Sequence, residues 1–593
     1  MPDLRGKPIP ALALGLLLCL LYGVIFAGQV LGFLGFYSVW TALPLALTVF
    51  GVSFYVYLRS LPDANPGEST IPFPKLDLFF GLCAVVLVII LVAVPLVLWP
   101  TSPAGKTLTW DAGLFHFPKA VELFRTGSMW GMDVCYAEYP LGYESLLSLS
   151  LLGGTSLFGA VHFVLALFLI LTLWFLATRY THLPAGLLLL GIVGVLLSGF
   201  IDKDNNPWWI YHPLLFTVGK NDLFQGAAVL AALAFAPLPA ARNEKAQWNL
   251  IGFALASMVA FSIKPNSLVI LPLWGLAFYQ LWKDQKQSAD YADYAEKDLK
   301  NLRHLRNLRN SFFIKAFLLI AIALPGLLWI PRNLAALGTL FTPPSLKLSG
   351  WSIAANLTNP NLYGHIPVYL YFFLAVVGLV LLLALLRKRI SLAAALALLV
   401  LLVGFAVTPA SAFHGNNQTR AEIAWRFSVA FISYALLLLL VIISPVLKKL
   451  LETVGRYRVG VLVLAIGALA LSGFFVWRMR QQIRYVPQNA IILRDQFEQP
   501  VGVDGYYSAY DYARKNIRSS TIIVDNGLPF YAYDAGFTNS TGCGGSPDYF
   551  IVFNTDWDKI EPGEYPEYVS TESWGQDWGV AYEDDYSRVY QRR

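Results

Sequence analysis

Three ionisable side chains lie close together in TWDAGLFHFPKAVELFRTGS, Asp111, His116 and Lys119, where the chain leaves one apolar run and approaches another. Charges beside hydrocarbon are costly and are retained where they do chemistry or hold a charged ligand. Partial desolvation raises the basicity of an aspartate, which can then take a proton from an attacking hydroxyl. Asp111 is therefore the candidate general base. The structural alternative is an N-cap, since an aspartate ahead of a helical run accepts from its free backbone amides.

What tips the balance is the company Asp111 keeps. Lys119, Lys203, Lys220, Lys264, Arg332, Arg420 and Arg426 all fall at or near helix ends on the same expected side of the membrane. Any one of them can snorkel to lipid headgroups. As a set they ask for an anion, and a lipid phosphate fits the bidentate arginine fork and the lysine point charge. Asp202, Asp204, His212, Asn221, Asp222, His365 and His414 add polar groups on that side. Carboxylates with histidine suit a divalent ion such as Mg or Mn, with Asp111, His116 and Asp222 as candidate ligands, but no diagnostic spacing requires one. Trp208, Trp209 and Tyr211 either stack on sugar rings or form an interfacial aromatic belt.

The elements that must position these groups are membrane helices. The 593 residues are 56% hydrophobic and 13% charged, with a mean hydropathy of +0.56, whereas soluble domains are roughly 25% charged. About thirteen apolar runs recur, each near the ~20 residues that cross hydrocarbon. They begin near Ala11, Val39, Leu76, Leu157, Pro184, Leu223, Trp248, Ser267, Phe312, Pro367, Ser391, Ser428 and Val459. Alternate loops carry Arg5 and Lys7, Arg59 and Lys75, Arg179, Arg242 and Lys245, the basic stretch from Lys283 to Lys315, Arg387 to Arg389, and Lys448 to Arg458. The positive-inside rule makes those loops and the N-terminus cytoplasmic, so the Asp111 loop and the C-terminal tail face outward. The first run is read as a retained span, not a cleaved signal.

Residues 1–478 thus form a transmembrane domain whose outer loop, 100–156, carries two juxtamembrane helices, and 479–593 form an extracytoplasmic soluble α/β domain. In that tail STIIVDNG and PDYFIVFN read as strands and YSAYDYARKN as a helix. The net charge of +6 is accounted for by the cytoplasmic loops and needs no nucleic-acid partner. In the long basic loop, NLRHLRNLRN reads as a surface helix or as a segment drawn to anionic lipid. Of the four cysteines, Cys19 and Cys83 read as core residues. Cys135 and Cys543 share the outer side, where a disulfide can form. No phosphate loop, nucleophile elbow, HExxH or dinucleotide fingerprint stands in a suitable context. An outward-facing enzyme has no access to cytoplasmic nucleotides, which favours a lipid-linked donor.

The same residues resemble the GT-C superfamily of membrane glycosyltransferases, in particular bacterial relatives of protein O-mannosyltransferases and lipid A aminoarabinose transferase, a family 39-like group. WDAGLFHFPKAVELFRTGS resembles the family's WDxxxYHxPR pattern, and YPLGYESLLSLSLLGGTSLFG its PPLGYxxLxALxxxLFG helix. KNDLFQGAAVLAALAF, PRNLAALGTLFTP and AWRFSVAFISYAL are weaker echoes of later family segments. The chain departs from the pattern at Phe115, where tyrosine is common, at Lys119, where arginine is common, and at Ala112, where some members carry a second acid. The resemblance implies an integral protein of the bacterial plasma membrane that moves a sugar, with inversion, from a polyprenyl phosphate carrier to a protein, lipid or glycan. It implies Asp111 as base, Lys220, Arg332, Arg426 and Lys264 around the donor phosphate, and His116, Lys119, Tyr139, Asp222 and Trp208 around the acceptor or sugar. The competing readings are a lipid or lipid-linked sugar flippase, which wants polar groups at mid-membrane and paired broken helices, and a scaffold that keeps the fold without catalysis.

Overall fold

The computed structural model describes residues 7–61, 74–98, 115–132, 134, 136–153, 157–181, 183–198, 221–238, 249–295, 301–338, 368–387, 389–406 and 428–489, and in the tail 512, 513, 515–517, 523–525, 548–553, 578–583 and 587–592. Sixteen α-helices run through the first block of these residues. They are α1 (Ile9–Leu34), α2 (Val39–Ser60), α3 (Pro74–Leu98), α4 (Phe117–Thr126), α5 (Gly142–Ser150), α6 (Phe158–Thr181), α7 (Ala185–Ser198) and α8 (Asp222–Phe235). After them come α9 (Leu250–Ile263), α10 (Leu271–Ala295), α11 (Asn301–Ala323), α12 (Trp329–Leu337), α13 (Val368–Leu386), α14 (Leu392–Ala406), α15 (Val429–Gly455) and α16 (Arg458–Asn489).

Local signals set the first hairpin. Pro10 sits in the opening turn of α1, where its missing N–H costs nothing, and Gly35 closes the helix in the left-handed region, its N–H returned to the last turn. Ser38 and Thr41 then cap α2 reciprocally, Thr41 N–H to Ser38 Oγ at 3.2 Å and Ser38 N–H to Thr41 Oγ1 at 3.0 Å. The two helices pack along their length.

Six helices among the described residues are long and apolar enough to cross a membrane: α1, α2, the first part of α3, α6, α15 and the first part of α16. The end of α11 and α12, bent by 46° at a 3₁₀ turn, make a seventh if they count as one broken span. Large apolar side chains on α2 and α16 point outward, among them Trp40 and Val459, as a lipid-facing surface requires.

The expectation of about thirteen spans is corrected here. The runs expected near Pro184, Leu223 and Trp248 fold as α7, α8 and α9 of 14 residues each, and the run near Ser391 as α14 of 15. At 1.5 Å per residue these reach ~21 Å, short of ~30 Å of hydrocarbon. Polar and proline punctuation cuts them: Asn221 and Asp222 open α8, Asn249 caps α9 through Gly252 N–H at 2.9 Å, and Pro265 after Lys264 removes the donor needed to continue it. Every residue of α8 is buried. A helix apolar all round belongs inside a bundle, and α8 packs against α6, α9 and α15 at the centre of the core.

In the tail, β1 (Ile523–Asp525), β2 (Tyr549–Phe553), β3 (Trp578–Glu583) and β4 (Ser587–Arg592) form a sheet in the order β1-β2-β4-β3. The first pair is parallel and the other two antiparallel, with a register shift between Val580 and Tyr582. The two expected strands are β1 and β2. Residues 512, 513, 515 and 516 of YSAYDYARKN are helical, and the Tyr512 ring stacks on Tyr582 at 4.7 Å. Cys19 and Cys83 are free and buried, while Cys135 and Cys543 lie outside the described residues.

Candidate functional site

Both short helices expected in the first outer loop are present, as α4 and α5, and packing fixes them against the bundle. Gly127 ends α4 at φ 71°, and an added Cβ there would meet the Tyr37 carbonyl oxygen at 2.5 Å. Only glycine lets α4 dock this closely on the α1–α2 turn, where Tyr37 N–H donates to Gly127 O at 3.0 Å and Trp130 Nε1 to Phe33 O at 2.6 Å. Gly142, the first residue of α5, lies against Ser262 with no room for a side chain. That contact brings the end of α9, and Lys264 just beyond it, up to α5.

The buried faces of α4 and α5 meet through charge. His116 Nδ1 stands 2.7 Å from Glu144 Oε1, and Lys119 Nζ stands 3.4 Å from the same oxygen. All three side chains are excluded from solvent. Lys119 also donates to the Tyr139 carbonyl at 3.4 Å and lies about 6 Å over the Phe115 and Tyr139 rings, within cation–π reach. Burial pulls the Lys119 ammonium below the ordinary lysine range, against the pull of Glu144. For the Glu144 carboxyl burial acts upward, but Lys119 and the His116 hydrogen bond outweigh it and hold the group below the usual carboxylate range. The His116 imidazole is lowered mainly by burial, with Glu144 opposing and Lys119 and Lys264 assisting. The directions for Glu144 and His116 favour a carboxylate beside a neutral imidazole.

A second cation enters from α12. Arg332 Nη2 donates to the Tyr139 carbonyl at 3.4 Å, and Nε and Nη2 donate to Asn333 Oδ1 at 3.0 and 2.7 Å. Asn333 Nδ2 in turn donates to the Glu138 carbonyl at 2.8 Å, pinning α12 to the loop between α4 and α5. Tyr139 thus contributes its backbone oxygen as the point where Lys119 and Arg332 meet. A third cation, Lys264, pairs with Asp222 at the start of α8. Several polar atoms here are buried without a hydrogen-bond partner among the described residues: Arg332 Nη1, Glu144 Oε2, Glu138 Oε1, Asn221 Oδ1 and Asn266 Oδ1. Buried polar groups are nearly always satisfied, so these atoms retain hydrogen-bonding capacity that a polar ligand or water could use.

Of the residues expected from sequence, His116, Lys119, Tyr139, Arg332, Lys264 and Asp222 are described, and the first four form one contact network. Lys264 acts electrostatically on His116 and joins Asp222 beside it. Asp111, Lys220, Arg426 and Trp208 lie outside the described residues, as do Lys203, Asp202, Asp204, Trp209, Tyr211, His212, His365, His414 and Arg420. As for the metal candidates, His116 is held by Glu144 and Asp222 by Lys264, and among the described residues no three of His, Cys, Asp and Glu gather as a ligand set. The residues that sequence reasoning missed are Glu144, Glu138 and Asn333. Glu144 is the lone acid between Tyr139 and Phe158, and that isolation in an apolar stretch was the available signal.

Compared with models of known protein families, with characterised proteins and with solved structures, the chain matches none of them.

Proposed function

We propose that the protein is an inverting glycosyltransferase that moves a sugar from a polyprenyl phosphate carrier to a hydroxyl of a protein, lipid or glycan. The observation that carries this reading is the convergence of the buried Lys119 and Arg332 on the half-buried Tyr139 carbonyl, with Lys119 paired to Glu144 and Arg332 Nη1 without a partner among the described residues. A buried guanidinium N–H without a partner is suited to an oxyanion, and a lipid phosphate supplies one. In the reaction the acceptor oxygen forms its bond to the anomeric carbon as the bond from that carbon to the phosphate oxygen breaks. The acceptor proton goes to Asp111, and the polyprenyl phosphate leaves with the electron pair. Arg332, with Lys220, Arg426 and Lys264, stabilises the charge growing on that phosphate, and His116, Lys119, Asp222 and Trp208 shape the sugar or acceptor side. The reading includes an outward-facing Asp111 loop and tail, and residence in a bacterial plasma membrane.

The test is transfer by the full chain in proteoliposomes from a panel of polyprenyl phosphate hexoses and pentoses. Asp111→Asn lowers turnover by about 10³-fold or more with donor binding kept, as loss of a general base does. Undiminished turnover in that variant removes Asp111 as the base. Normal donor affinity in Lys220→Ala, Arg332→Ala and Arg426→Ala alike removes the phosphate pocket.

A further inference from the structure

His116 has one ring nitrogen committed and one open. Nδ1 meets Glu144 Oε1 at 2.7 Å inside the protein, and an ionised carboxylate can only accept, so the proton sits on Nδ1. In a neutral imidazole the lone pair then belongs to Nε2. No hydrogen bond to Nε2 is made by any of the described residues. The ring is packed between Phe115, at 4.1 Å between centroids, and Tyr143, at 5.2 Å between centroids and nearly perpendicular. The charged groups that act on it are Glu144 from α5, Lys119 from α4 and Lys264 from the end of α9. Both cations, together with burial, oppose a second proton on the ring.

We propose that Glu144 is a positioning residue that locks His116 as the Nδ1–H tautomer, and that His116 Nε2 accepts a hydrogen bond from a hydroxyl of the bound substrate. The identity of that substrate rests on the glycosyltransferase reading, and the tautomer does not. Lys119 has a defined part: its ammonium, 3.4 Å from the shared oxygen, keeps Glu144 an acceptor. The hydroxyl comes from the acceptor or from the sugar of the donor, since both present the same O–H.

The first measurement is nitrogen-15 NMR of the full chain in lipid nanodiscs, with labelled histidine and the His116 signals assigned by difference from His116→Gln. Near neutral pH the expected pattern is a protonated Nδ1 and a bare Nε2. A protonated Nε2 with bare Nδ1, or an imidazolium, overturns the proposal. Glu144→Ala is expected to give a tautomer mixture, and Glu144→Gln, whose carbonyl oxygen still accepts, to keep the native form. An unchanged tautomer in Glu144→Ala overturns the positioning role, and if that variant does not fold, the wild-type pattern still decides. The second measurement is kinetic. His116→Gln raises KM about tenfold for the acceptor or for the donor, whichever carries the hydroxyl, as loss of one neutral hydrogen bond does. No change in either constant overturns the contact. Absence of transfer by the wild type from every polyprenyl phosphate sugar removes the glycosyltransferase reading and leaves the tautomer result standing.

Discussion

One short helix contributes to two ion pairs, each a basic side chain with a buried glutamate, that differ in how far the cation is exposed. On the inner face of α4, Lys119 pairs with Glu144 of α5, the two side chains being 0% and 1% exposed. Toward the outer side Arg125 pairs with Glu122 three residues back, at 2.6 Å, with Arg125 37% exposed and Glu122 only 7%, so this pair is buried at its acidic end and open to water at its basic end. The outer pair is shorter and the inner one far more consequential. Water and salt reach the exposed cation of the outer pair and weaken it. A buried pair costs several kcal/mol of desolvation per ion, and its main energetic property is the penalty for breaking it. A protein that sought only stability would have filled the space between α4 and α5 with leucine. That it holds a lysine, a glutamate and a histidine there points to use, and the unspent atoms of Arg332 and Glu144 nearby agree.

The sharpest way to break this contrast is to remove one inner partner. Glu144→Ala leaves Lys119 buried and uncompensated, and the expected loss is about 3–5 kcal/mol. It is read as a lowered thermal unfolding midpoint of the purified protein in detergent. The double change Lys119→Met with Glu144→Leu exchanges the ions for packed apolar groups and recovers most of that loss. If the single variant melts with the wild type, the buried pair carries no such penalty and the contrast with the outer face collapses.

Acid should separate the faces next. The His116 and Glu144 groups are both held below their ordinary ranges in the folded protein. A group with a lowered folded pKa contributes stability that is complete above its unfolded pKa and is lost as pH falls through the folded one. Both therefore act in the same direction. The wild-type midpoint falls as pH drops below about 6.5, the unfolded histidine value, and further below about 4.5, the unfolded glutamate value, while Glu144→Gln, lacking the carboxylate, lacks the second part of that fall. Equal slopes for the two proteins would show that the inner network does not titrate.

How much of this was legible follows from how far apart the partners are. The long apolar helices α1, α2, α6, α15 and α16 were readable because composition alone decides them. The lengths of α7, α8 and α9 were harder, since a wholly buried helix and a span share the same apolar character, and the stops at Asn221, Asn249 and Pro265 are single residues. Lys119, His116 and Arg332 stood out as charges near hydrocarbon. Their meeting did not, because Arg332 and the Tyr139 carbonyl are 193 residues apart and His116 and Glu144 are 28 apart, with no local pattern to pair them. Glu144 escaped notice for another physical reason. A glutamate in the first turn of a helix is already explained by the helix dipole, which conceals a second role.

The outer pair gives the smallest effect and the control. Glu122 and Arg125 are one helical turn apart, so their contact could be written down from sequence alone. Arg125→Ala is expected to cost about 1 kcal/mol, less than Glu144→Ala because the cation removed is 37% exposed, and part of that effect is screened away in high salt. Donor binding and transfer should be unaltered, since the guanidinium is 37% exposed and pairs with Glu122, whereas Lys119 pairs with Glu144. A loss approaching that of Glu144→Ala would mean that α4 is held by its rim as strongly as by its core, and burial would cease to be what distinguishes the two pairs.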